Sequence, residues 1–435
     1  MRTNLRTAHR SATAGTADGP AAEPGSVRKS REGAGATTPV DGRETLTRRR
    51  LLTTALAVGA AAPLGLTGPA RASSGAPAPA RLTLPAPTGP YPVGTVALHL
   101  VDTARPDPVA GPGRHRELMA GVWYPARDVE RYPLAPWMSA GALRELLASA
   151  GFPADAVQVP LTAGHQGAPA RWCGRELPVV VFSHGAHSHR GDHTVIVQEL
   201  ASHGYAVVTV DHTYDAFTEF PDGRVLAPLR DPQHALGPAD FAADIRFVLD
   251  RVDDLAAGRD PDAGRRPLPA GLAGAIDPRR TGMFGWSKGG TATARVMLDD
   301  PRVRAGLSLD GPMLPAVTGD LDRPFMMMTA EFTRAREPGV AEFWTHLRGW
   351  RLDVRAEGAV HASYGDNQVL IPQLAEAVGM SDEELRDRIG TLAPDRAVRI
   401  QQAYPLAFFD LHLRHRRGHL LDGPSRAFPE VTFLP

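Results

Sequence analysis

Cysteine is nearly absent from this chain: Cys173 stands alone among 435 residues. One thiol cannot close an intrachain disulfide, so the fold must be held by its core. The neighbours Trp172 and Gly174 give Cys173 neither a base nor a helix start, and it reads as a structural thiol rather than a nucleophile. Lysine is almost as scarce, with only Lys29 and Lys288 beside the many arginines. An excess of either charge is also missing. The chain has 48 basic and 48 acidic residues, which gives no support for nucleic-acid binding. The apolar stretch from Leu51 to Leu66 is too short, and too broken by glycine and Pro63, to span a bilayer stably. No internal repeat is visible.

What is present begins with a leader. Residues 1–46 are rich in Gly, Ala, Thr, Ser and Arg without apolar periodicity, and read as disordered. Thr47-Arg48-Arg49-Arg50 then leads into the apolar stretch, which closes near Ala70-Arg71-Ala72. Basic flank, apolar segment and small-x-small site make a twin-arginine export signal cleaved near Ala72, the alternative being an uncleaved anchor. Removing residues 1–72 leaves 37 basic and 43 acidic residues, a formal charge of −6. The expected organisation is therefore a leader over 1–72, a Pro/Ala/Gly linker over 73–90, and a catalytic domain over 91–435. The mature protein is expected outside the cell, without a stable membrane span.

The mature part alternates strand and helix patterns. Thr95–Val101 and Leu118–Tyr124 read as strands, and Trp137–Gly151 as a helical insertion with Leu143, Leu146 and Leu147 on one face. Pro178–Phe182 is a continuous apolar run of buried parallel-strand type. A helix over Val195–His203, a strand over Tyr205–Val210 and a helix over Phe241–Leu255 follow. Further strands fall at Val303–Leu309, Pro324–Met328 and Trp350–Arg355, with a closing helix at Asp395–Arg414. Ser381 caps an acidic helix start in a second insertion. The alternation predicts an α/β fold, a mostly parallel sheet with helices on both faces.

Gly285-Trp286-Ser287-Lys288-Gly289 carries the chemistry. It stands between a short apolar strand and a helix rich in small residues, the setting of a nucleophile elbow. Serine needs a base and an acid that orients the base, in the chain order serine, carboxylate, histidine. Asp310 follows the strand after the elbow, and His361 follows the last strand in a glycine-flanked turn. Glu331, at the end of the next strand, is the rival acid; Asp322 reads as a turn residue. His346, His412, His415 and His419 lack the strand-end position of His361. The oxyanion needs two backbone N–H donors, expected from Lys288 and from Ala186 in the Ser183-His184-Gly185-Ala186-His187 loop. The Lys288 side chain either adds positive charge to the site or points to solvent. His184, His187, His189, His193 and Asp192 match no metal-ligand spacing. His184, Trp286 and His212 are expected to line the pocket.

Phe182-Ser183-His184-Gly185, Leu200-Ala201-Ser202-His203-Gly204-Tyr205 and Val210-Asp211-His212 resemble the plasma-type platelet-activating-factor acetylhydrolases and their bacterial lipase relatives. Asp102–Pro108 and Val122–Ala126 are similar to the early segment of that family, and the likeness runs from about residue 95 to 415. The resemblance implies the α/β-hydrolase fold, a secreted serine ester hydrolase, and a small-molecule or lipid ester as substrate, with no metal or cofactor. It favours Asp310 over Glu331, places the base at His361, and puts the oxyanion donors at Ala186 and Lys288. Trp286 and Lys288 depart from it, since the family has histidine before the nucleophile and an apolar residue after it. Tryptophan at the first position also occurs in polyester-cleaving cutinase-like enzymes. A polyester hydrolase, an acyl transferase and a catalytically inert binding protein of the same fold are the alternatives.

Overall fold

The computed structural model describes residues 79–171 and 176–435. The export signal, its cleavage site and Cys173 lie outside the described residues. The elements run β1 Ala80–Thr83, β2 Val93–Asp107, β3 Gly111–Pro125, β4 Leu134–Pro136, α1 Ala140–Ser149, β5 Val157–Gln166, β6 Leu177–Ser183 and α2 Thr194–Ser202. Next come β7 Ala206–Asp211, the short β8 Thr218–Glu219 and β9 Val225–Leu226, α3 Pro238–Ala256, β10 Ile276–Trp286, α4 Lys288–Asp299 and β11 Val303–Leu309. The chain closes with β12 Phe325–Thr329, α5 Pro338–His346, β13 Arg351–Ala356, α6 Asn367–Val378, α7 Asp382–Ile389, α8 Pro394–Arg414 and β14 Val431–Leu434.

One sheet dominates, in the order β1-β5-β2-β3-β7-β6-β10-β11-β12-β13-β14, with β4 beside β5. From β7 through β13 every pairing is parallel. The β2–β3 hairpin and β14 add antiparallel pairings. The parallel strands are apolar on both faces because both are covered. Val179, Val181, Met283 and Met327 pack with Ile245, Val248 and Leu249 of α3 and Phe343 of α5. Val180, Phe182, Phe284 and Met326 face the opposite way, against Leu200 of α2 and Phe408 and Phe409 of α8. Side chains alternate across a strand, so consecutive residues of β6 serve two separate cores.

Two differences from the sequence reading concern the edge of the sheet. Residues 80–83, inside the stretch read as a linker, form β1 and pair in parallel with β5. Leu82 supplies the reason: it is buried in a third apolar cluster with Leu143, Leu147, Val157 and Leu370. The β2–β3 hairpin is also longer than expected, its strands continuing through an irregular register between Asp102 and Asp107. No helix among the described residues is long and apolar enough to cross a membrane.

Candidate active site

β10 lies near the middle of the sheet between β6 and β11, and its carboxyl end delivers Ser287. The serine sits at φ 54°, ψ −117°, directly before the first residue of α4. Few residues other than glycine adopt such a conformation, and it lifts the side chain out of the strand–helix turn. Crowding explains the flanking glycines. A Cβ on Gly289 would lie 2.0 Å from the Ser183 carbonyl oxygen, and one on Gly285 would lie 2.2 Å from the Gly289 backbone. Strand β6 and helix α4 can meet only because these carbons are missing.

Asp310 follows β11 with φ 44° and is fully buried. Its carboxylate accepts the N–H groups of Ala330 (2.7 Å), Phe332 (2.9 Å) and Glu331 (3.2 Å). The remaining contact is to His361 Nδ1, 2.7 Å from Asp310 Oδ2. Backbone donors thus fix the carboxylate, and the carboxylate fixes the imidazole. Glu331 reaches the same histidine elsewhere: its Oε1 accepts the His361 backbone N–H at 3.1 Å. Trp286 holds it a third time, the indole N–H donating to the His361 carbonyl at 2.8 Å. The His361 ring lies 4.8 Å from the Trp286 ring and edge-on to Phe332 at 5.1 Å. His346, one of the rival histidines, is paired with Asp320 near the surface. The rival His412 packs against Trp350 and Phe408.

The loop after β6 abuts the serine. A Cβ on Gly185 would stand 3.1 Å from Ser287 Cβ and 2.4 Å from the Trp286 ring. His187, at φ 57°, turns the chain back, and its N–H donates to Asp215 Oδ1 at 2.6 Å. The other oxygen of Asp215 accepts Lys288 Nζ at 2.6 Å, and that ammonium also donates to the Leu236 carbonyl at 2.7 Å. Asp215 therefore ties the Ala186 loop to the start of α4. Sequence reading missed it, because Asp215 stands four residues past the end of β7 and its partners, His187 and Lys288, come from distant parts of the chain. Among the described residues, the N–H groups of Ala186 and Lys288 have no acceptor. The first N–H of a helix lacks an intrahelical partner by construction.

Two expectations are corrected here. The Lys288 side chain neither adds free charge to the site nor points to solvent. Asp215 and Leu236 hold it, with its ammonium over the Phe241 ring. His184 and His212 do not line the cavity; both are fully buried behind it. Nδ1 of His184 donates to the Gly185 carbonyl, and its Nε2 accepts the His212 N–H at 3.0 Å. Burial lowers His184 to about 4, so the neutral ring serves as donor and acceptor at once. His212 stacks on Phe241 at 3.6 Å and bridges Ser183 Oγ to Asp244. Arg116 completes that network as a buried ion pair with Asp244. These histidines brace the strand ends that carry the Ala186 loop.

The cavity itself, about 220 Å³, is lined by Ala186, Trp286, His361 and Glu331 together with Trp137, Leu146 and Ile371. Asp192 and His189 also reach it. Burial raises Asp192 to about 6, while its carboxylate accepts the Ser188 hydroxyl at 2.7 Å. Trp137 is fixed in place by Asp366, which accepts its indole N–H at 2.8 Å and caps α2 through the N–H groups of Thr194 and Val195. Among the described residues, no group of three His, Cys, Asp or Glu side chains is arranged to hold a metal ion.

An elbow of this form on a parallel sheet of this order defines an α/β-hydrolase. The family model described as platelet-activating factor acetylhydrolase, isoform II, matches residues 78–218. A probable 1-alkyl-2-acetylglycerophosphocholine esterase of Arthroderma benhamiae is 26% identical, across 82% of this chain and 95% of that protein. The platelet-activating factor acetylhydrolase of Cavia porcellus is 24% identical, across 70% and 74%. Among solved structures, a ferulic acid esterase from Streptomyces cinnamoneus superposes with a TM-score of 0.67 at 33% identity, covering 82% of this chain and all of that one. The chain is an α/β-hydrolase and a carboxylic ester hydrolase, and over residues 78–218 it is similar to the platelet-activating-factor acetylhydrolases.

Proposed function

We propose that the protein is an exported serine esterase working through Ser287, His361 and Asp310 and an acyl-enzyme intermediate. The observation that carries this is the 2.7 Å contact between Asp310 and His361 Nδ1, with the elbow that bears Ser287 at φ 54° tied to the same histidine through the Trp286 indole. With Nδ1–H given to Asp310, Nε2 of His361 is the free base that takes the Ser287 proton. The serine oxygen attacks the ester carbonyl, and the oxyanion that forms is held by the N–H groups of Ala186 and Lys288. His361 then returns its proton to the departing alcohol. Water, deprotonated by the same histidine, attacks the acyl-enzyme and restores the serine.

Export rests on the twin-arginine pattern of residues 47–72. The relatives are a probable 1-alkyl-2-acetylglycerophosphocholine esterase, platelet-activating factor acetylhydrolases and a ferulic acid esterase, so the shared chemistry is cleavage of a carboxylic ester. Expression of the full chain, with p-nitrophenyl butyrate turnover measured in medium and cells, tests both parts. Turnover should appear in the medium, and Ser287→Ala should lower it by roughly four orders of magnitude or more while the circular dichroism spectrum stays unchanged. Turnover retained by that variant would sink the assignment, and activity confined to the cells would sink export.

A further inference from the structure

A second chamber opens behind the catalytic cavity, and nothing in the reaction described so far uses it. It measures about 120 Å³ and is lined by Leu82 of β1, Leu143 and Leu147 of α1, Phe152, and Leu370 and Leu374 of α6. Its wall is common with the cavity at Trp137, Leu146, Asn367, Ile371 and Arg388, so the two spaces meet there. Trp137 is a rigid part of that wall, bonded to Asp366 and edge-on to His189 at 4.6 Å. The polar lining residues, Asn367 and Arg388, both stand at the junction. Beyond it the lining is hydrocarbon.

We infer that this chamber receives the far end of the substrate's acyl chain, and that the enzyme prefers medium-length, unsubstituted acyl groups. The inference rests on the proposed roles of Ser287, Ala186 and Lys288, which put the ester carbonyl at the elbow. From that point the acyl group crosses the cavity toward Leu146 and Ile371, where the chamber begins. Dry apolar cavities of about 150 Å³ hold one benzene ring, so this space suits a short run of methylenes or a single bare ring. A hydroxylated aromatic acyl group fits less well. Its phenol would be stripped of water among Leu82, Leu143 and Leu147, away from the polar side chains of Asn367 and Arg388 at the junction.

The test measures kcat/KM for p-nitrophenyl acetate, butyrate, hexanoate and octanoate, and for methyl ferulate, on the full chain. Wild type should gain up to about fourfold per added methylene until the chamber is full. Leu374→Trp, at a partly exposed wall position, should lower hexanoate and octanoate turnover about tenfold while acetate changes less than threefold. Leu147→Ala enlarges the chamber and should shift the optimum to a longer chain, which keeps the test open if the tryptophan variant misfolds. A chain-length profile unmoved by both substitutions, acetate and octanoate falling together, or methyl ferulate preferred over hexanoate would each overturn the inference. Failure of the triad would look different, since Ser287→Ala would then keep turning over every ester.

Discussion

Asp310 and Glu331 both reach His361, but at different atoms, and the difference separates orienting the ring from holding the loop. Asp310 touches Nδ1, where a carboxylate sets the tautomer and stabilises the imidazolium that forms during proton transfer. Glu331 accepts only the backbone N–H, a bond that a neutral amide oxygen can also accept. Asp310→Asn should therefore lower kcat by roughly three to four orders of magnitude, the scale seen when a triad acid loses its charge. Glu331→Gln keeps an oxygen for the His361 N–H and should stay within about tenfold of wild type. Steady-state kcat values for the two variants check this; a larger loss at Glu331 would reverse the assignment. Both carboxylates end strands, which is why sequence position alone left them as rivals and the family resemblance had to choose. The atoms they address are set by the tight turns after β11 and β12, which no local pattern announces.

At the scale of elements, what was readable followed from periodicity and turn chemistry. Apolar runs located β6, β7, β11 and β12 to within a residue or two because these strands are buried on both faces. The elbow was readable because glycine spacing records a close approach of backbones. β1, β5 and α6 were not read, because their burial depends on one another. Leu82, Val157 and Leu370 share one cluster yet lie far apart in the chain. His184 and His212 misled for a related reason: polar residues at strand ends suggest a pocket, whereas here these two rings tie strand ends together in the interior. The elbow also supports a prediction at this scale. Gly289→Ala forces a methyl group against the Ser183 carbonyl, a backbone atom that cannot turn aside. The cost should be roughly 3 kcal/mol or more, at the upper end for overpacked sites. Gly418→Ala meets nothing within 4 Å and should be nearly neutral in the same urea titration.

For the molecule as a whole, the buried titratable groups in and behind the cavity wall shape how stability varies with pH. Burial lowers His184 to about 4, and His189 and His193 to about 3. Each stays neutral in the folded chain while its unfolded counterpart takes up a proton near pH 6.5. Their stabilising contribution is therefore present above pH 6.5 and is lost as pH falls toward 4. Asp192 acts in the opposite sense. Burial raises it to about 6 from an ordinary 3.8, so between these values the folded chain holds a proton that the unfolded chain has released. Its contribution is complete below pH 3.8 and disappears as pH rises through 6, partly offsetting the histidines in the same window. Asp192→Asn preserves an oxygen for the Ser188 hydroxyl and removes that offset. Unfolding free energies from urea titrations between pH 4.5 and 5.5 should then fall with acidification more steeply than in wild type. The added slope should be about 1.4 kcal/mol per pH unit, the value for one proton. Parallel slopes for the two proteins would mean that Asp192 is ionised across this range, leaving the equally buried Asp366, raised to about 7, as the carboxyl that opposes the histidines.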